Sequence, residues 1–349
     1  MLESLLLRLE PFKLVNSLTL LHTSSLERLP DSPLQLELYE LAEQFDGPTD
    51  RQEAHYSLGH TLYLLGDITA AYRHLQRDIA LVVPEQPHSV IMGLMNRDVA
   101  AHCCWLLGYP AQARVHVREA LEIAQQQSDP LNVVHALYYA AGMYRCLQDV
   151  PVVQALADRL ITLATQWRLS YWLTWGILLR SWALSQQGQP EAAITGLQGC
   201  WTPSKAGGPT AFHLASTLLA ETYGYLGQIV DGLHTLDEGL TLAQQSGEHG
   251  RIAELYRLKG EFIRKQGDRQ QDRDEAETCF HQALTIAQSQ HAKSLELRAA
   301  MSLGHLWQLQ GRRQEACALL MPIYHWFTEG FDTADLRKAK ALLEVWARS

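Results

Sequence analysis

The stretch "SLGHTLYLLGDITAAYRHLQRDIAL", Ser57 to Leu81, decides how the chain is read. Its apolar residues recur at intervals of three and four up to Leu65 and again from Ile68, with a Gly66-Asp67 corner between them: helix, turn, helix. Gly59 stands inside the first helix, where glycine costs about 1 kcal/mol relative to alanine. A packing contact open only to a small residue would offset that cost. If the contact belongs to a repeat, the same device should return along the chain.

It does. Corners after successive apolar helices fall at Gly66, Gly108, Gln148, Gly188, Gly227, Gly267 and Gly311, at intervals of 42, 40, 40, 39, 40 and 44 residues. Seven residues before each corner stand Gly59, Ala101, Ala141, Ser181, Ala220, Gly260 and Gly304, all small. Five residues after the corners come Ala71, Ala113, Val153, Ala193, Gly232 and Ala316; an insertion, "RQQDRDE", delays the sixth match to Ala276. A helix–turn–helix unit repeating near 40 residues, without alternating β-branched runs, predicts an all-α solenoid. An exposed terminal hairpin would present an apolar face to water, so both ends need covers. "SPLQLELYELAEQFDG", Ser32 to Gly47, reads as an N-terminal half-unit within residues 1–50, and residues 51–331 hold the seven hairpins. Residues 332–349 read as a capping helix, with Asp332 or Thr333 as N-cap and Leu336, Ala339, Leu342 and Leu343 as its apolar stripe. "GCWTPSKAGGPT", Gly199 to Thr210, reads as an irregular loop that truncates the second helix of the fourth hairpin.

The small positions and inter-helix glycines resemble the tetratricopeptide repeat in a long version, which implies a right-handed α-solenoid. "AELYRLKGEFI", "YWLTWGILLRSWALSQQGQPEAAI" and above all "YHWFTEGFDTADL", Tyr324 to Leu336, resemble the C-terminal repeat region of large bacterial signalling proteins. Those join an adenylate or guanylate cyclase domain, or a kinase domain, to a STAND-type ATPase. The resemblance runs from about "LPDSP" at Leu29 to the end, and it implies a sensor or scaffold part. The phosphate-cradling pattern GxxxxGK[ST] does not occur in the chain, so the ATPase activity is not carried over. The cyclase's metal-binding aspartates would need a sheet, and no strand pattern is present.

Composition agrees with a packed fold: 47% of residues are hydrophobic and 19% charged. A net charge of −9 argues against a broad nucleic-acid surface, which is built on clustered Lys and Arg. No run of 18 uncharged apolar residues occurs, so neither a membrane partner nor a transmembrane helix is expected. The N-terminus lacks the pattern of a signal peptide. Six cysteines without CxxC or zinc spacing read as buried free thiols, which suits a cytoplasmic setting. No cofactor, metal or catalytic set is expected.

In tetratricopeptide arrays the first helices line the concave face. Carried over by repeat position, the groove-facing places lie six, ten and thirteen residues before each corner, on one helix face. They include His60 and Tyr56; His102 and Asp98; Tyr138 and His135; Trp182 and Trp175; Glu221; Glu261, Arg257 and Glu254; and finally His305 and Arg298. The functional reading is a protein or peptide groove with an aromatic middle and a charged C-terminal part, since aromatic and Arg anchors dominate interfaces. The bland reading is that the rings fill space between hairpins and the charges form a solvated face. A Lys/Asn arrangement for a C-terminal carboxylate is not visible. The pair Asp98/His102 at i, i+4 reads more readily as a hydrogen bond than a metal site, and His325 within "YHWFTEG" as packing against the capping helix. The expectation is a non-catalytic module for protein or peptide recognition in bacterial signalling, regulating a cyclase, kinase or ATPase domain. The alternative is a small-effector sensor with an aromatic pocket near Tyr138, Trp175 and Trp182.

Overall fold

The computed structural model describes residues 48–347 apart from 84, 128, 207, 208 and 268; the N-terminal half-unit expected at Ser32 to Gly47 lies outside the described residues. Among them are fifteen α-helices and no strand. They pair as hairpins: α1 (Pro48–Leu65) with α2 (Ile68–Ala80), α3 (Pro87–Leu106) with α4 (Pro110–Gln127), α5 (Pro130–Cys146) with α6 (Val150–Gln166), and α7 (Ser170–Gln186) with α8 (Pro190–Ala206). Then come α9 (Pro209–Leu226) with α10 (Ile229–Ser246), α11 (Ile252–Gln266) with α12 (Gln270–Ser289), and α13 (Lys293–Leu309) with α14 (Arg313–Trp326). A single helix, α15 (Ala334–Ala347), covers the last hairpin. The fold is the all-α solenoid that the repeat predicts.

The local signals act as expected. Asp67 caps α2 by accepting from the Ala70 amide, and Asp129 caps α5 from the Leu131 and Asn132 amides ahead of Pro130. Six of the seven corners hold a left-handed residue, five of them glycine and one Gln148 at φ 61°. Gly267 is instead extended, at φ −163°. The small positions before and after the corners are all buried. At Gly59 a Cβ would lie 2.8 Å from Leu75 Cγ, and at Gly260 2.6 Å from the Phe280 ring. The glycines in the first helices therefore admit the large side chain of their partner helix, whose full burial contributes about 1.5–3 kcal/mol each.

Successive first helices α1, α3, α5, α7, α9, α11, α13 and the cap α15 also touch one another, and so form the inner wall. The array then bends far enough for α13 to meet α3. This seam is made by named contacts. Ser294 Oγ donates to the Trp105 carbonyl at 2.5 Å, Arg298 Nη2 donates to the Cys146 carbonyl at 2.7 Å, and the Gly250 amide donates to the Leu64 carbonyl at 3.0 Å. Arg251 donates to the Tyr63 hydroxyl at 2.9 Å. Trp105 and Leu106 share one apolar cluster with Ala253, Ala292 and Leu295.

One expectation is corrected and another extended. Residues 199–206 are helical, so α8 is not truncated; buried Cys200 extends the packing of the fourth hairpin, and a glycine is tolerated within a packed helix. The "YHWFTEG" segment does pack against the capping helix, Tyr324 and Phe327 sharing an apolar cluster with Leu336, Ala339 and Leu342, but His325 itself is exposed, and the segment also packs on the second hairpin's corner. Trp326 meets Tyr109 with centroids 5.7 Å apart, and Glu329 accepts from the Ala111 and Gln112 amides, capping α4 from 218 residues away. Arg114 pairs with Asp332 at 2.8 Å. The seam bends the segment onto the other end of the chain, which its local sequence does not reveal.

Candidate functional site

The inner positions have two fates. In the first four hairpins they are filled. Tyr56 stacks on His60; His135 packs on Tyr139 and Trp172; Tyr138 packs on Trp175. Asp98, His102, Trp175 and Trp182 are buried, with Trp182 wholly inaccessible. The two tryptophans offer no ring face to a ligand, so the aromatic pocket expected near them is filled by protein. Asp98 lies 3.2 Å from His135 Nε2, without the alignment of a good hydrogen bond. Burial pushes its carboxyl up to about 6, against the pull of His135. His102 donates through Nδ1 to the Asp98 carbonyl; burial, assisted by Arg251, lowers its imidazole to about 4, so it is neutral at pH 7. Burial likewise pushes the Tyr56 hydroxyl up to about 12.

Further along, charge replaces rings, and the charges pair. Arg257 grips Glu254 with two hydrogen bonds, of 2.9 and 2.7 Å. Arg298 reaches Glu254 at 3.4 Å and Asp335 at 2.8 Å while its guanidinium lies 5.0 Å from the Trp105 ring centre. Burial opposes the charge on Glu254, but Arg257 and then Arg298 outweigh it and hold the carboxyl at about 2. Glu221 accepts from Trp182 Nε1 at 2.5 Å and pairs with Arg145 at 3.3 Å. Glu261 pairs with Arg264 at 2.8 Å. The Glu254–Arg298 pair therefore ties the inner wall to the seam and to the capping helix at once.

Beside this network the wall opens into a cleft of about 470 Å³, lined from α7, α9, α11, α13 and α15. Of the expected groove residues, Glu221, Arg257, Glu261 and His305 line it. Its apolar floor includes Leu258, Phe262, Met301 and Leu342, and its mouth carries Lys265 and Lys338. A smaller cavity of about 30 Å³, large enough for a water molecule, separates Glu254 and Arg298 from His102 at the seam.

The inner stripe continues one place further than the expected positions, three residues before each corner: Tyr63, Trp105, Arg145, Ser185, Gly224, Arg264 and Gln308. Tyr63, Trp105 and Arg145 build the seam and network, whereas Gly224 leaves part of the cleft. That spacing was a usable signal for residues not singled out from the sequence. Nothing in the pattern pointed to Lys338 on the cap. Among the described residues no group of three or more His, Cys, Asp or Glu is arranged to hold a metal, and no helix is long and apolar enough to cross a membrane. The six cysteines are free, five of them buried.

A tetratricopeptide repeat model matches residues 52–77 and 97–119, the first two hairpins. The repeat is typically a binding scaffold, and the match indicates no catalytic family. No curated protein matches the chain. Among solved structures, the fold is similar to a Rap protein complexed with Competence and Sporulation Factor: TM-score 0.58, 11% identity, covering 97% of this chain and 96% of that one. It is also similar to aspartyl phosphate phosphatase F from Bacillus subtilis: TM-score 0.50, 13% identity, covering 90% and 79%. A STAND protein with a tetratricopeptide repeat sensor from Pyrococcus horikoshii superposes at a TM-score of 0.41 and 13% identity, covering 89% of this chain and 46% of that one, too loosely to carry an argument. These likenesses establish a solenoid of tetratricopeptide-like hairpins.

Proposed function

We propose that the chain is a non-catalytic recognition module that binds a protein or peptide partner in the cleft of its inner wall. In this reading it is the regulatory part of a bacterial signalling system that includes a cyclase, kinase or ATPase domain. The cleft carries the proposal: about 470 Å³ falls within the range of binding pockets, and first helices of four hairpins plus the cap converge on it. Mixed apolar and polar lining suits a segment of chain more than a flat apolar contact. Similarity to a Rap protein found in complex with a factor supports a binding role by analogy of architecture, which supplies no partner identity. The link to cyclase-type signalling rests on the resemblance of "YHWFTEGFDTADL" and its neighbours. Because Arg257 faces the cleft and grips Glu254, which pairs with Arg298 at the seam, an occupant that pulls on Arg257 changes the forces that close the ring.

The test is a photoreactive amino acid placed at exposed Tyr225, on the cleft, and at exposed Val115 on α4, outside it. Illumination in cells is expected to give discrete protein adducts from position 225 and none of the same mass from 115. Identical adducts from both positions, or none from 225, would sink the assignment.

A further inference from the structure

We infer that the cleft takes an acidic segment of polypeptide, held by Lys265 and Lys338, so that the capping helix is a working wall of the site. This rests on the reading of the cleft as a recognition surface and adds the chemistry of its occupant. Charge bookkeeping around the cleft leads to it. Glu221 is balanced by Arg145, Arg257 by Glu254, and Glu261 by Arg264, at 3.3, 2.7 and 2.8 Å. Two charges on the lining remain, Lys265 at the end of α11 and Lys338 on α15. Both are exposed, and neither has an ion-pair partner among the described residues. Two unbalanced cations facing one concavity stand out on a chain whose net charge is −9. A concave wall of one sign concentrates ligands of the opposite sign and speeds their encounter.

The remaining lining narrows the class further. Leu258, Met301 and Leu342 offer apolar contact below the lysines, so the complement is a segment with carboxylate side chains flanked by apolar residues. Lys338 reaches the cleft because α15 is docked there, through buried Leu336, Ala339 and Trp346 and through the Asp335–Arg298 pair. A helix that served solely as a lid on the last hairpin would need the apolar stripe alone. One that also presents Lys338 and Leu342 to the cleft shapes what the cleft selects.

A random library of peptides with blocked ends is panned on the full chain carrying the photoreactive residue at Tyr225, and the crosslinked peptides are sequenced. The same is done with K265E/K338E and with K265R/K338R. Expected are peptides enriched in Asp and Glu, held at least tenfold less tightly after charge reversal, retained by the arginine variant and weakened by added salt. Melting curves should coincide for the three proteins, since both lysines are exposed. Crosslinked peptides without acidic enrichment, or indifferent to charge reversal, overturn the acidic-segment inference and leave the cleft as a recognition surface. No crosslinking at Tyr225 by any peptide overturns both.

Discussion

The filled interior of the first four hairpins and the open cleft, which begins at the end of α7 and lies mainly in hairpins five to seven, are built from the same repeat positions. In the first region those positions hold rings, and the rings pack on one another: Tyr138 on Trp175, His135 on Trp172. In the second they hold Arg and Glu: on α11 these pair along their own helix, Arg257 with Glu254 and Arg264 with Glu261, while Glu221 and Arg298 pair with charges on other helices. A pair folded along the helix surface takes less of the space in front of it than an indole does, so the wall stays open. Repeat position sets the direction of a side chain; its volume and its partners set whether the place is accessible. The seam adds a second difference, since it ties the ends of α3 and α5, near the second and third corners, to α13.

Arg298→Ala should break this contrast most severely. It strips partners from Glu254, Asp335 and the Cys146 carbonyl, and removing one member of a buried ion pair costs about 3–5 kcal/mol. A lowered melting temperature and a larger radius of gyration in solution scattering are expected; a variant matching the wild type in both would show that the seam does not depend on this residue.

Asp98→Asn probes the filled half through pH. The folded carboxyl titrates at about 6, above its ordinary value of 3.8, so the folded chain favours the protonated form. Relative to full protonation below the ordinary value, stability is lost as pH rises through 6, by about 3 kcal/mol at 1.36 kcal/mol per pH unit. Asparagine cannot ionise, so the variant should gain on the wild type from pH 4 to pH 8. Parallel melting temperatures across that range would contradict the assignment.

Gly260→Val sharpens the comparison at the level of the hairpin. Its Cβ would fall 2.6 Å from the Phe280 ring, and overpacking of this kind costs about 1–3 kcal/mol. By contrast Gly224, at the cleft, would place a Cβ 3.2 Å from the tip of the Phe262 ring, so Gly224→Ala should cost less. Equal denaturant midpoints would mean that both sites are equally loose.

Glu329→Ala has the smallest expected effect, about 1 kcal/mol for a lost helix cap. Its signature is local: faster hydrogen exchange at the Ala111 and Gln112 amides, with exchange in α11 and α12 unchanged. Unchanged rates at those two amides would mean the cap is not formed in solution.

What the sequence determined by itself is periodic and local. The spacing of Gly59, Ala101, Gly260 and their equivalents specifies hairpins because a small residue is required wherever two helices approach closely, and that requirement repeats with the unit. Asp67 and Asp129 mark helix starts because a cap needs only residues three positions apart. What only the tertiary structure decided is everything that follows from bending the array. The meeting of Arg298 with Trp105 and Cys146, the use of "YHWFTEG" as a clasp on α4, and the arrival of Lys338 at the cleft all join residues tens to hundreds of positions apart. Small rotations at each hairpin interface add up along the solenoid, and no single repeat carries their sum.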